Sequence, residues 1–150
     1  MSDADQQRQI DELQSRVAIG DLVSKYCFGC DGRDIEKWNS IWHEDAVYDI
    51  GEAFGEFSGS SGVEEAARTM WAALNFTRHW TTNLVIDFDG SDRATGRCDV
   101  CFDCEDAEGR LFFGAASYND VFERRDGAWK ISRREVVIHH RKVVEAPEYV

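Results

Sequence analysis

Apolar residues Ile10, Leu13 and Val17 recur three to four apart, and Ile19, Leu22, Val23, Tyr26, Cys27 and Cys30 carry the stripe onward. That spacing predicts a long helix over 6–30. Gly20 falls in its middle, where it costs about 1 kcal/mol relative to Ala and lets the stripe drift to a second face. Gly29 and Gly32 are expected to close it. Behind the capping-type Asp34, residues Ile35, Trp38, Ile41 and Trp42 repeat at helical spacing and predict a short helix over 35–41. HEDAVYDIGEA reads as a turn and a strand, the Gly- and Ser-rich 55–62 as a loop. A third helix is expected over 63–74, with Val63, Ala66, Ala67, Met70, Trp71 and Leu74 inward.

From there the period changes to two. Strand patterns cover 77–88, 94–105, 110–124 and 129–142, separated by DGSD, DAEG and RRDG, which carry hairpin-turn residues. Helices followed by long strands describe an α+β domain, three helices packed on one face of an antiparallel sheet. Strands of this length have to curve strongly around them. No internal repeat or linker interrupts the pattern, so one domain over 1–150 is expected.

Composition narrows the function classes. A 150-residue chain with 43% hydrophobic and 12% aromatic residues and one Pro has the makings of a single buried core. The net charge of -12 argues against binding to nucleic-acid phosphates or anionic membranes, which takes clustered Lys and Arg. A small, largely apolar ligand is the better fit. The first twenty residues are polar and acidic and no apolar run is long enough to span a bilayer, so the expected location is cytoplasmic. Neither a P-loop nor a GxGxxG motif gives a basis for a nucleotide cofactor, and no cofactor is expected.

Five cysteines, an odd number, are expected to be reduced thiols. Cys27 and Cys30 form a Cys-x-x-Cys pair, with Cys98, Cys101 and Cys104 further on. Strand alternation puts Cys98 and Cys104 on one face and Cys101 on the other, so these three do not converge on a metal. Cys27 and Cys30 lie at the C-terminal end of their helix, where the dipole raises a thiol pKa instead of lowering it. Packing is the expected role of the sulfurs.

Oxygen and nitrogen groups remain. Tyr26 continues the inward stripe of the first helix, and Asp31 sits where the Gly-flanked turn lets its side chain fold back under the helix end. His79, in TRHWTTNL, shares a strand face with Thr77, Thr81, Asn83 and Val85, opposite Phe76, Trp80, Leu84, Ile86 and Phe88. Arg134 alternates with Val136 and Ile138, pointing toward an apolar side where a charge needs a partner or an anionic ligand, or else it guards an edge strand. Tyr48 fits a half-buried strand aromatic. Position alone leaves each of these open between a structural and a chemical role.

In combination, IGDLVSKYCFGCDGRD, WNSIWHEDAVY, HWTTNL and YNDVFERRDGAWKISRR resemble the SnoaL-like branch of the nuclear-transport-factor-2-like superfamily, across nearly the whole chain. Within it the sequence looks most like the branch that contains γ-hexachlorocyclohexane dehydrochlorinase, scytalone dehydratase and bile-acid 7α-dehydratase. The resemblance implies a cone-shaped α+β barrel with the ligand pocket inside. It also implies a cofactor-independent lyase in which Asp31 orients His79 as general base, and a homotrimer, with dimers elsewhere in the superfamily. The dehydrochlorinase pattern has Lys where this chain has Tyr26, and a late Arg that Arg134 matches. The dehydratase pattern has Tyr at both Tyr26 and Tyr48, which tilts the expectation toward loss of water over loss of chloride. Tyr26 and Arg134 are thus expected beside the base, with Tyr48, Trp42, Asn83, Phe102 and Phe113 against a small cyclic or polycyclic substrate. A non-catalytic binding or assembly protein of the same fold, a ketosteroid-isomerase-like enzyme and a dioxygenase small subunit are the alternatives.

Overall fold

A computed structural model describes residues 2–144. Helix α1 (Asp3–Asp31) starts three residues earlier than expected, because Ser2 and Asp5 close a capping box. Its two halves differ. Ile10, Leu13 and Val17 are 47%, 63% and 66% exposed, whereas Ile19, Leu22, Val23 and Tyr26 are buried. Gly29 does not end the helix: a Cβ there would stand 3.0 Å from the Trp38 backbone nitrogen, so its absence lets α2 (Ile35–Ser40) pack directly on α1. Asp34 caps α2 by accepting from the Lys37 backbone, and the fully buried Trp38 donates its indole N–H to the Val63 carbonyl.

Strand β1 (Trp42–Asp49) follows without the expected turn. The expected loop over 55–62 instead holds β2 (Glu56–Ser58) and the start of α3 (Gly59–Ala73), with Gly59 at φ +72° making the corner. Four long strands follow: β3 (Leu74–Phe88), β4 (Arg93–Asp106), β5 (Leu111–Arg125) and β6 (Ala128–Val144). Asp126 and Gly127 both have positive φ, as a two-residue type I′ turn requires between β5 and β6.

The sheet order is β2-β1-β6-β5-β4-β3. Its neighbours are antiparallel except β1 and β6, which run parallel, so the sheet is mixed. It does not close: β2 and β3 are its edges. One core joins the second half of α1, α2, α3 and the concave face, through Ile19, Trp38, Ile41, Ala67, Phe122 and Ile131.

Strand β3 departs from simple alternation. Its pairing with β4 shifts between Thr82 and Val85, where Asn83 takes φ +56°. Thr77, His79 and Thr81 turn toward the helices before the bulge, and Leu84, Ile86 and Phe88 after it. Phe76 and Trp80, 40% and 53% exposed, lie on the convex side.

Candidate active site

Asp31 is the last residue of α1, and its carboxylate crosses to β3. Oδ2 accepts from the His79 backbone N–H at 2.9 Å, and Oδ1 from the Thr77 hydroxyl at 2.9 Å. His79 Nδ1 stands 2.6 Å from the same Oδ1. A carboxylate only accepts, so Nδ1 carries the proton, and in the neutral ring Nε2 has the lone pair. Both side chains are 10% exposed.

The contact needs α1 and β3 in register, and Arg33 supplies the clamp. It sits at φ +52° just past the helix, with its guanidinium donating to the Leu74 and Asn75 carbonyls at 2.5 and 2.8 Å. From α3, the Trp71 indole donates to the Cys30 carbonyl at 2.8 Å. Three elements therefore meet at the Asp31 end of α1.

Beside His79, the Tyr26 and Tyr48 hydroxyls share a 2.7 Å hydrogen bond. Tyr26 also meets the rings of His79, Trp38 and Tyr118. Burial raises the pKa of all three tyrosines, so they are neutral donors at ordinary pH. Arg134 lies behind them, fully buried between the Tyr26 and Tyr118 rings, 4.2 Å from each centroid. Its charge is held by Asp120, through Nε to Oδ1 at 2.7 Å and Nη2 to Oδ2 at 2.6 Å. Nη1 has no protein partner among the described residues.

A cavity of about 420 Å³ opens in front of this group. Tyr26, Tyr48, Tyr118, Thr77 and His79 form the polar group around the base, Asp103, Asp106, Glu108, Arg110 and Arg141 add charged groups to the lining, and Phe57, Met70, Leu74, Phe102, Phe112 and Val136 contribute apolar wall. The volume suits a small cyclic molecule.

The structure thus brings Tyr26, Asp31, Tyr48, His79 and Phe102 together, with Arg134 immediately behind. Three expected lining residues stand elsewhere. Asn83 is exposed, because the β3 bulge turns it to the convex face, where its amide donates to Asp99 at 3.0 Å. Phe113 is 42% exposed on that face, one residue out of phase with Phe112, which lines the cavity in its place. Trp42 is buried but packs against Trp38 and Tyr48, behind the cavity wall. Tyr118, Asp120 and Arg141 escaped the sequence reading, although Tyr118 and Asp120 alternate with the buried Ala116 and Phe122 in one strand.

Four of the cysteines are buried and Cys101 is exposed, with Cys98 and Cys104 sharing the inner face. Cys30 lies beside the site, 3.8 Å from the Thr77 hydroxyl. Ligand atoms of Cys30, Asp31 and His79 fall within 4.8 Å of one another. Burial raises the Cys30 thiol far above its usual range, aided by the Asp31 charge. Asp31 and His79 are already engaged with each other, so this trio fits an internally satisfied hydrogen-bond group better than a metal centre.

Comparison with known proteins places these residues in a family setting. A model of the SnoaL-like domain matches residues 11–135. Hexachlorocyclohexane dehydrochlorinase 1 of Sphingobium indicum is 37% identical over 126 residues, 83% of this chain and 81% of that protein. The crystal structure of a type 2 hexachlorocyclohexane dehydrochlorinase superposes with a TM-score of 0.89 at 32% identity, covering 95% of this chain and 99% of the other. A protein assigned as a scytalone dehydratase, from Novosphingobium aromaticivorans, shares the fold with a TM-score of 0.82 at 22% identity, over 92% of this chain and 93% of its own.

Proposed function

The chain belongs to the SnoaL-like domain family, and we propose that it is a cofactor-independent lyase that eliminates water or halide from a small cyclic substrate. The observation that carries this reading is the 2.6 Å contact between Asp31 and His79 Nδ1, at the polar end of a largely apolar cavity. His79 Nε2 takes a proton from carbon, the C–H electrons form the new double bond, and the bond to the leaving atom breaks on the neighbouring carbon. The proton is then on His79; a halide leaves as the anion, and a departing hydroxyl takes that proton from His79 and leaves as water. Positioned general bases contribute about 10²- to 10⁴-fold in rate.

Tyr26 and Tyr48 favour an oxygen leaving group or a conjugated carbonyl. As neutral phenols they donate hydrogen bonds to developing negative charge on oxygen without themselves ionising. Arg134 adds a fixed positive charge behind Tyr26, tempered by Asp120. The hexachlorocyclohexane dehydrochlorinases to which the chain is similar support elimination as the reaction class, and the Tyr26–Tyr48 pair is the reason to test oxygen beside chlorine.

Assembly is part of the proposal. Phe76, Trp80, Phe113 and Val137 expose apolar surface on the convex face, as expected of a homo-oligomer; that it is a trimer is what the family resemblance implies. Light scattering after size exclusion measures the mass directly. For the chemistry, wild type and His79→Ala are assayed on γ-hexachlorocyclohexane by chloride release and on a cyclic β-hydroxyketone by enone absorbance. Turnover of either by wild type and its loss in His79→Ala is the expected result. Equal turnover by the two proteins removes His79 from the mechanism.

A further inference from the structure

Resting on the reading of this cavity as a substrate site, we infer that the substrate carries a carboxylate, held by Arg141 at the end of the cavity opposite His79. The sheet register sets the two groups apart. His79 pairs with Phe102 on β4, Phe102 with Gly114 on β5, and Gly114 with Arg141 on β6. Three strand spacings separate the base from the cation, about 14 Å along the sheet. His79, Phe102 and Arg141 all line the cavity.

Gly114 makes this row usable. A Cβ there would fall 2.4 Å from Phe102 Cζ, so the Phe102 ring lies across the glycine and forms an aromatic plate between the ends. Ala116, Val136 and Ile138 extend the apolar wall beside it. Arg141 stacks its guanidinium over the Phe112 ring, 4.5 Å from the centroid, which fixes the charge against the cavity wall.

The other cation at this end is already neutralised. Arg110 donates to Asp106 at 2.7 Å and to Glu108 at 3.1 Å. Arg141 has no carboxylate partner among the described residues. Arg141 is exposed at this end, and a wholly apolar ligand filling the cavity would strip water from the cavity-facing side of its guanidinium and give that side no partner, at a cost. A carboxylate matches the guanidinium fork and removes that cost. The substrate class is therefore a cyclic carboxylic acid with the acidic C–H at the ring end remote from the carboxylate.

The test is equilibrium binding of a matched pair, 2-naphthoate and 2-naphthamide, followed by naphthalene fluorescence. Wild type is expected to prefer the naphthoate by about tenfold, the size of one partly exposed charge-assisted contact. Arg141→Gln is expected to abolish the preference with little change in naphthamide affinity, and Arg141→Lys to retain part of it, while thermal melts show that both variants fold. Equal binding of the pair by wild type overturns the proposal, as does no binding of 2-naphthoate at millimolar concentration or an undiminished preference in Arg141→Gln. His79→Ala separates this inference from the catalytic reading: it should keep the preference and lose turnover.

Discussion

Arg134 and Asp120 face each other as a buried bidentate pair, Nε to Oδ1 at 2.7 Å and Nη2 to Oδ2 at 2.6 Å. Neither side chain reaches solvent. The guanidinium is closed between the Tyr26 and Tyr118 rings, so its position also fixes theirs. Breaking such a pair from one side strands an uncompensated charge, at a cost of about 3–5 kcal/mol.

Asp120→Leu and Arg134→Met should therefore each be strongly destabilised in urea unfolding, and the double variant Asp120→Leu/Arg134→Met should recover much of the loss. A cycle in which the two single changes simply add would show that the pair is not coupled. The same geometry bears on catalysis, because Asp120 already occupies two of the guanidinium nitrogens and leaves Arg134 to act as a fixed background charge.

Thiol chemistry gives a second test. Cys27, Cys30, Cys98 and Cys104 are buried, and burial raises each thiol pKa, Cys98 to about 11. Cys101 is exposed. A thiolate-directed reagent at pH 8 should modify the four buried thiols only after denaturation, and Cys101, paired with Trp80 on the convex face, ahead of them wherever a partner copy does not cover that face. Rapid native labelling of Cys30 would contradict its packing beside Thr77.

Alkaline stability follows from the same burial. The raised groups stay protonated in the folded protein at a pH where the unfolded chain releases its protons, so the unfolded state gains as pH rises. Stability should be level below the ordinary thiol value of 9.0 and fall as pH rises through about 11, the folded value of Cys98. Tyr26 and Tyr118, raised well above 10.0 by burial, extend the fall to higher pH. Urea midpoints from pH 7 to 11 measure it. A midpoint that rose across this window would reverse the sign and refute the argument.

Sequence periodicity carried the helices and long strands because each has a face in the core, and the sulfur reading because strand parity alone separates Cys101 from Cys98 and Cys104. Parity fails where a strand bulges. The shift between Thr82 and Val85 sends Asn83 outward, and no residue there announces it. Phe112 and Phe113 are adjacent and chemically alike, so phase alone decided which one faces the cavity. The stripe Ile10, Leu13, Val17 looked like core but stands exposed, because over this stretch α1 turns Asp11, Ser15 and Arg16 toward the sheet instead. Asp31 and His79 were linked by the family resemblance; periodicity could not join two residues 48 apart in sequence.

Arg33 tests whether the dyad is held from outside. Its guanidinium fastens the end of α1 to the first residues of β3, three positions before Thr77 and five before His79, counted from Leu74. Arg33→Gly relieves the positive φ but removes the clamp, whereas Arg33→Ala loses the clamp and keeps the strain. Arg33→Ala should be the less stable of the two by about 1 kcal/mol. Both should lower kcat, and full activity in both would show that Asp31 and His79 find each other without the clamp.

Asp31→Asn is the sharpest test of the base. The His79 backbone N–H is a fixed donor 2.9 Å from Oδ2, so the amide oxygen of Asn must take that position. The amide NH₂ then falls where Oδ1 was, facing His79 Nδ1 at the former 2.6 Å contact and the Thr77 hydroxyl. Thr77 can rotate to accept, but the imidazole can accept only by moving its proton to Nε2. The lone pair needed toward the cavity is lost although the side-chain shapes are almost unchanged. Turnover should fall by about 10²- to 10⁴-fold. Nitrogen NMR of the ring should show the proton on Nδ1 in wild type and on Nε2 in the variant. Wild-type turnover with the exchanged tautomer would mean that His79 does not take the proton through Nε2.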